Sequence, residues 1–172
     1  MASDAITLVT KDHRAVENLF ATLKEKTGDR AQLLEQLRAE LIAHAKAEEA
    51  VLYPFIKKAL PDERAQVDEG SKEHHEVESM VEKLSAFSAD DKAVDALLDE
   101  LAAAVGHHVE DEENEVLPGL EQAVDEDALR ALGESFQQRK AEELSRLVGG
   151  GSARESKASK DELAEALKTS RS

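Results

Sequence analysis

There is no cysteine in these 172 residues, so the chain supplies no disulfide, no iron–sulfur ligand and no thiolate zinc site of its own. Aromatic residues make up only 3%, with no tryptophan, too few for a surface that stacks on bases. No apolar run approaches the roughly 18 residues that a membrane span needs, and no basic-plus-apolar leader is visible. A cytoplasmic chain with no membrane partner is the expectation. Positive charge is also short: 22 Lys and Arg stand against 38 Asp and Glu, a net charge of −16. Such a surface repels the phosphates of nucleic acid, which excludes nucleic acid as a partner of the main body. Proline occurs three times amid abundant Ala, Leu, Glu and Lys, a composition of helices rather than of disorder.

What is there is periodic. Apolar residues recur at alternating steps of three and four, the spacing of a packed helix face. The first stripe is Ile6, Val9, His13, Val16, Phe20, Leu23, and the second is Leu34, Leu37, Leu41, His44, Glu48, Val51, Phe55. The third is Val67, Gly70, His74, Val77, Val81, Leu84, and the fourth is Leu98, Leu101, Val105, His108, Glu112, Val116, Leu120. Turn chemistry separates them at Thr27-Gly28-Asp29, Leu60-Pro61-Asp62 and Ser88-Ala89-Asp90-Asp91. Long helices on short connections predict an all-α, up-down-up-down four-helix bundle. Pro54 and Pro118 are expected to kink or restart helices two and four. A fifth helix is expected over about residues 126–147, completing a domain of residues 1–148. Gly149-Gly150-Gly151-Ser152 reads as a flexible linker to a tail spanning 149–172, in which 159–168 could form a short amphipathic turn of helix on Leu163 and Leu167.

The chain repeats itself once. Lys11-Asp12-His13 aligns with Lys72-Glu73-His74 at an offset of 61, and His44 to Pro54 aligns with His108 to Pro118 at an offset of 64. In antiparallel hairpins, residues equidistant from a turn share a level. The midpoint of His13 and His44 falls between Gly28 and Asp29, that of Glu48 and His74 on Pro61, and that of His74 and His108 on Asp91. All three lie in the assigned breaks, so His13, His44, Glu48, His74, His108 and Glu112 share one layer of the core.

That layer needs a cation. A buried carboxylate without a partner costs several kcal/mol, and no lysine or arginine falls on the level of Glu48 and Glu112. His44/Glu48 and His108/Glu112 are i,i+4 pairs, each able to reach one ion from one helix face. Six donors are generous for one metal and natural for two bridged by both carboxylates. Imidazole with carboxylate suits iron, manganese or zinc rather than calcium or magnesium. Two ferric ions would carry more positive charge than two glutamates neutralise, which invites an oxide or hydroxide bridge and leaves a position for an external ligand. A single helical histidine is usually a surface or packed residue; the repeated constellation is what carries the reading. Glu17 and Glu78, four residues after His13 and His74, sit beside their stripes and are candidates for hydrogen-bonding a ligand imidazole. Tyr53, nine residues after His44, points away from it on an ideal helix; a kink at Pro54 would re-aim it as an extra ligand or a proton donor.

These residues resemble the hemerythrin-like HHE cation-binding domain of bacterial proteins over residues 5–122. The carriers are Asp12-His13, His44-Ala-Lys-Ala-Glu48-Glu49 with Leu52-Tyr53-Pro54, Glu73-His74, and His107-His108-Val-Glu-Asp-Glu112-Glu113 with Leu117-Pro118. The resemblance implies an oxo- or hydroxo-bridged pair of iron ions, with His13, His44, His74 and His108 as terminal ligands and Glu48 and Glu112 as bridges. It also implies binding of oxygen, nitric oxide or peroxide in oxygen or redox sensing, with peroxide decomposition of a catalase-like kind and iron handling or iron-centre repair as alternatives. The sequence departs from the oxygen-carrying invertebrate hemerythrins. Those have a histidine where Glu78 stands and a bridging aspartate five residues after the fourth-helix histidine.

Overall fold

A computed structural model describes the backbone of residues 2–169 and the side chains of residues 2–149. The described chain is helical throughout, with no strand: α1 (Ala5–Glu25), α2 (Arg30–Ala47), α3 (Tyr53–Ala59), α4 (Arg64–Ser85), α5 (Lys92–Asp111), α6 (Leu117–Ala123) and α7 (Glu126–Thr169). A π-helical turn, Glu48–Leu52, joins α2 to α3 without a break, and a second, Glu112–Val116, joins α5 to α6. The bundle therefore consists of four rods and a fifth helix laid against them.

Aspartates start most of these helices. Asp4, Asp29 and Asp91 accept hydrogen bonds from the backbone N–H of Thr7, Gln32 and Ala93, and Asp125 accepts from Ala128. Each satisfies one of the orphan donors of a first turn. The first rod ends with Lys26 and Gly28 at positive φ. The third starts from a 3-10 turn, Pro61–Glu63, where proline needs no N–H partner.

The apolar stripes close on one another in two clusters. One holds Val16, Leu23, Leu37, Leu41, Val81, Leu84, Leu98 and Leu101 at the end of the bundle near the α1–α2 turn. The other holds Val9, Leu52, Tyr53, Ile56, Val67, Leu117, Leu120 and, from the fifth helix, Leu129, Leu132 and Phe136. The histidine and glutamate layer lies between them. No described helix is long and apolar enough to cross a membrane.

The fifth helix begins where composition places it but does not end there. Its backbone continues through Gly149-Gly150-Gly151-Ser152, where a linker is expected, to Thr169. The three glycines cost about 1 kcal/mol each relative to alanine, and the helix formers on both sides offset that cost. The side chains of Leu163 and Leu167, and residues 170–172, lie outside those described. Near its start, α7 crosses the N-terminus of α1 at Gly133. A Cβ there would lie 2.6 Å from the Ser3 carbonyl oxygen and 2.9 Å from Ala5 N. Only glycine permits that approach.

Candidate metal centre

Helix geometry sets each inward donor. His44 and Glu48 end the α2 stripe, and His108 and Glu112 end that of α5, each pair stacked on one face. His13 and His74 enter from the middle of α1 and α4. All six are buried, Glu48 at 0% and Glu112 at 2% exposure.

The structure brings the six together as two histidine pairs spanned by two carboxylates. Glu48 turns Oε1 towards His44 Nε2 and Oε2 towards His74 Nε2, both at 3.1 Å. Glu112 turns Oε1 towards His13 Nε2 at 3.6 Å and Oε2 towards His108 Nε2 at 3.5 Å. Ligand atoms of His13, His44, Glu48 and Glu112 lie within 4.8 Å of one another, and so do those of Glu48, His74 and His108. Glu48 belongs to both groups.

Behind every imidazole stands a carboxylate. Nδ1 of His13 lies 2.8 Å from Glu113, that of His44 lies 3.0 Å from Asp12, that of His74 lies 3.1 Å from Glu49 and that of His108 lies 2.7 Å from Glu73. An ionised carboxylate only accepts, so each Nδ1 carries the proton and each Nε2 is turned inward to bind. The four acids obey the repeat: Asp12 and Glu73 precede a histidine, Glu49 and Glu113 follow a glutamate, and each crosses to a neighbouring helix. Sequence periodicity passed over them because they sit one step off the stripes. Their recurrence at matching positions in both halves was the available signal.

Glu17 and Glu78 are not brought to a histidine. Glu17 is 48% exposed and binds Arg14, which in turn holds Glu113. Glu78 pairs with Lys46 at 3.5 Å. In both cases a nearby cation takes the carboxylate that periodicity had offered to the imidazole. Tyr53, by contrast, does reach the layer. Its hydroxyl donates to Glu112 Oε2 at 3.1 Å and lies 3.4 Å from His74 Nε2, with its ring stacked parallel to that of His74.

The π turns explain Tyr53. Proline in an α-helix clashes with the carbonyl four residues back, and a wider turn ahead of Pro54 and Pro118 relieves it. In each turn the last N–H bonds five residues back, Tyr53 to Glu48 and Leu117 to Glu112. One extra residue is absorbed, so the nine-residue step from His44 acts as eight and Tyr53 swings to the side of Glu48. Gly70 makes the space: a Cβ there would lie 2.8 Å from the Tyr53 hydroxyl. The repeat places Val9 at the matching position, and Leu117 matches Tyr53. Large opposite small in one half becomes medium opposite medium in the other.

Without a cation these groups share protons unequally. Burial opposes charge on His44, but Glu48 and Asp12 hold it protonated, its pKa pushed up to about 10. Burial would also raise Glu48; His44 and His74 outweigh it and hold the carboxyl well below its usual range. Burial and the charge of Glu48 push Glu112 well above that range. Despite burial, Glu48 and Glu49 raise His74, while burial lowers His13 and His108. Nε2 of His74 lies 3.1 Å from Nε2 of His108 and equally close to Oε2 of Glu48. Burial and the two glutamates raise the Tyr53 phenol.

The donors nevertheless remain unsatisfied. Nε2 of His13 and His44, both oxygens of Glu48 and Oε1 of Glu112 are buried and make no well-aligned hydrogen bond, although Glu48 stands 3.1 Å from His44 and His74. One such atom costs about 1–3 kcal/mol, and here they converge on a single layer. Imidazole and carboxylate donors with both glutamates spanning two histidine pairs fit two divalent or trivalent ions.

Residues 4–120 match the Hemerythrin HHE cation binding domain. A hemerythrin-like protein of Schizosaccharomyces pombe is 31% identical over 143 residues, covering 80% of this chain and 68% of that protein. The crystal structure of a hemerythrin HHE cation binding domain-containing protein from Mycobacterium kansasii superposes with a TM-score of 0.72 at 18% identity, covering 84% of this chain and 89% of that one. That likeness shows the fold. On the family match, the chain belongs to the hemerythrin HHE cation-binding domain proteins.

Proposed function

We propose that this chain is a non-haem di-iron protein that binds oxygen, nitric oxide or peroxide in oxygen or redox sensing. His13 and His44 would hold one ion and His74 and His108 the other. Glu48 and Glu112 would bridge them together with an oxide or hydroxide. The observation that carries the reading is the set of unpartnered Nε2 and carboxylate oxygens converging in one buried layer. Bound iron would supply redox chemistry and an open coordination position.

The chain's own residues would do the rest. Asp12, Glu49, Glu73 and Glu113 fix the ring orientations and raise the basicity of the imidazoles. Val16, Leu41, Val77, Val105 and Val109 line a cavity of ≈ 30 Å³ against the four histidines. Its size and apolar walls suit a diatomic molecule and exclude bulk water. The Tyr53 hydroxyl, beside Glu112, is placed to donate a hydrogen bond or a proton. That placement favours peroxide decomposition as a second reading.

The test is an optical spectrum of metal-quantified protein under anaerobic and aerobic conditions. About two irons per chain are expected, with charge-transfer bands of a bridged diferric centre that change on adding oxygen, nitric oxide or peroxide. Iron far below one per chain after growth in iron-supplemented medium would overturn the reading. Stopped-flow mixing with peroxide separates the two functions. Sustained turnover supports the enzyme, and stoichiometric bleaching supports the sensor.

A further inference from the structure

The two halves of the centre are not electrostatically alike. The two acids behind His13 and His44 each have a cation at hand, Arg14 beside Glu113 and Lys140 beside Asp12. Among the described residues neither Glu49 nor Glu73, the acids behind His74 and His108, has a lysine or arginine within 4.0 Å; besides His108, Glu73 has the exposed His107 at 3.8 Å. The His13–His44 half is also covered by the fifth helix. Lys140 spans Asp12 and Glu40, both at 2.7 Å, and Phe136 sets its ring edge-on to His44 at 5.7 Å between centroids.

The His74–His108 half instead faces a cleft of ≈ 70 Å³ between α4 and the rod formed by α5 and α6. Its floor is Tyr53, His108 and Glu112, the last buried and turning Oε2 towards His108 and the Tyr53 hydroxyl. Glu69, Asp111 and Glu115 line its sides. Glu73, His107 and Asp111 each offer one ligand atom within 4.8 Å of the others, with His107 Nε2 3.4 Å from Asp111 Oδ2. Glu73 joins this surface group to the buried layer: one oxygen faces His107 and the other holds His108 Nδ1.

We propose that this cleft is the path by which divalent cations reach the centre, and that Glu73, His107 and Asp111 form a capture site at its mouth. The inference rests on the di-iron reading. A concave acidic wall of low dielectric focuses its field and raises cation on-rates by about 10-fold or more. Imidazole with two carboxylates holds a ferrous ion without the full cage that would trap it. The cation then moves from a partly hydrated surface site to donors that bind it more tightly, past Tyr53 and onto the His74–His108 pair.

Anaerobic ferrous uptake by chelator-stripped full-length protein tests the path, followed as the loss of iron from a chromogenic ferrous chelator. His107→Ala/Asp111→Asn is expected to load about 10-fold more slowly than the parent. It should reach the same final iron content, with an unchanged melting temperature of the stripped protein. Glu115→Gln, farther along the cleft wall, is expected to slow uptake about three-fold. Glu25→Gln/Glu100→Gln removes more negative charge from exposed positions outside the cleft and should load at the parental rate. Uptake at the parental rate in the first two variants, or equal slowing in the third, overturns the proposal. A parent that takes up no iron sinks the di-iron reading itself; a parent that loads like its variants sinks only the path.

Discussion

Glu113 and Glu17 both bind Arg14, yet only Glu113 touches a histidine. The difference is one step of helix geometry, and it should be large in function. Glu113→Gln keeps an acceptor for His13 Nδ1 but removes the charge that makes the imidazole a strong donor. Its metal affinity should fall about 10-fold, and that of Glu113→Ala up to about 100-fold. Glu17→Gln should leave affinity unchanged. Competition against a chelator of known affinity measures all three, and equal retention by Glu113→Ala and the parent would contradict the assignment. At this scale the six inward donors were legible because they lie on the stripes at i,i+4 spacing and recur in both halves. Asp12, Glu49, Glu73 and Glu113 were not. Each is one of 38 acids, off its stripe, and only packing across helices tells which acid meets an imidazole rather than a lysine or arginine. Tyr53 was hidden by a change of helical pitch that a fixed period of 3.6 does not register.

Two glycines in helices should respond to the same substitution with opposite signs. At Gly106 an added Cβ meets nothing within 4 Å, so Gly106→Ala gains helix propensity alone, about 1 kcal/mol. At Gly133 the Cβ meets only backbone of the chain entering α1, which cannot rotate away. Overpacking there costs about 1–3 kcal/mol and outweighs the same propensity gain. Melting temperature should therefore rise by about 2–4 °C for Gly106→Ala and fall for Gly133→Ala. A rise in both would show that the fifth helix is not anchored at that crossing. The number, order and turns of the first four helices were legible from stripes and capping aspartates. The two π turns were anticipated only as kinks at Pro54 and Pro118, since proline marks the disturbance without saying how it is absorbed. The backbone of the fifth helix runs on through a glycine run that reads locally as a break, and the residues flanking it favour helix.

Taken as one titrating body, the molecule should respond to pH in opposite ways with and without metal. In the stripped protein His44 is raised to about 10, and His74 and Glu112 are raised as well. A group whose folded pKa lies above its unfolded value stabilises below the unfolded value and loses that contribution as pH rises. Histidine starts from 6.5 and glutamate from 4.5, so the contribution of Glu112 declines as pH rises above 4.5, and those of the two histidines decline above 6.5, that of His44 up to about 10. His13, His108 and Glu48 are lowered and act in the other direction, losing stability as pH falls below those same starting values. Stripped protein should thus be most stable near pH 6 and weaken on the alkaline side. Metal binding reverses the slope. Ions compete with the protons on His44, His74 and Glu112, and loading near neutral pH must release them. Raising pH removes that competition, so the loaded form gains on the stripped form. Thermal melts at pH 6.5 and 9 should show a gap in melting temperature that widens by at least about 4 °C. The comparison cancels the self-repulsion of the −16 surface, which both forms share. Parallel melting curves across that range would mean that no cation displaces protons from the layer, and the convergence of six donors would then need another cause.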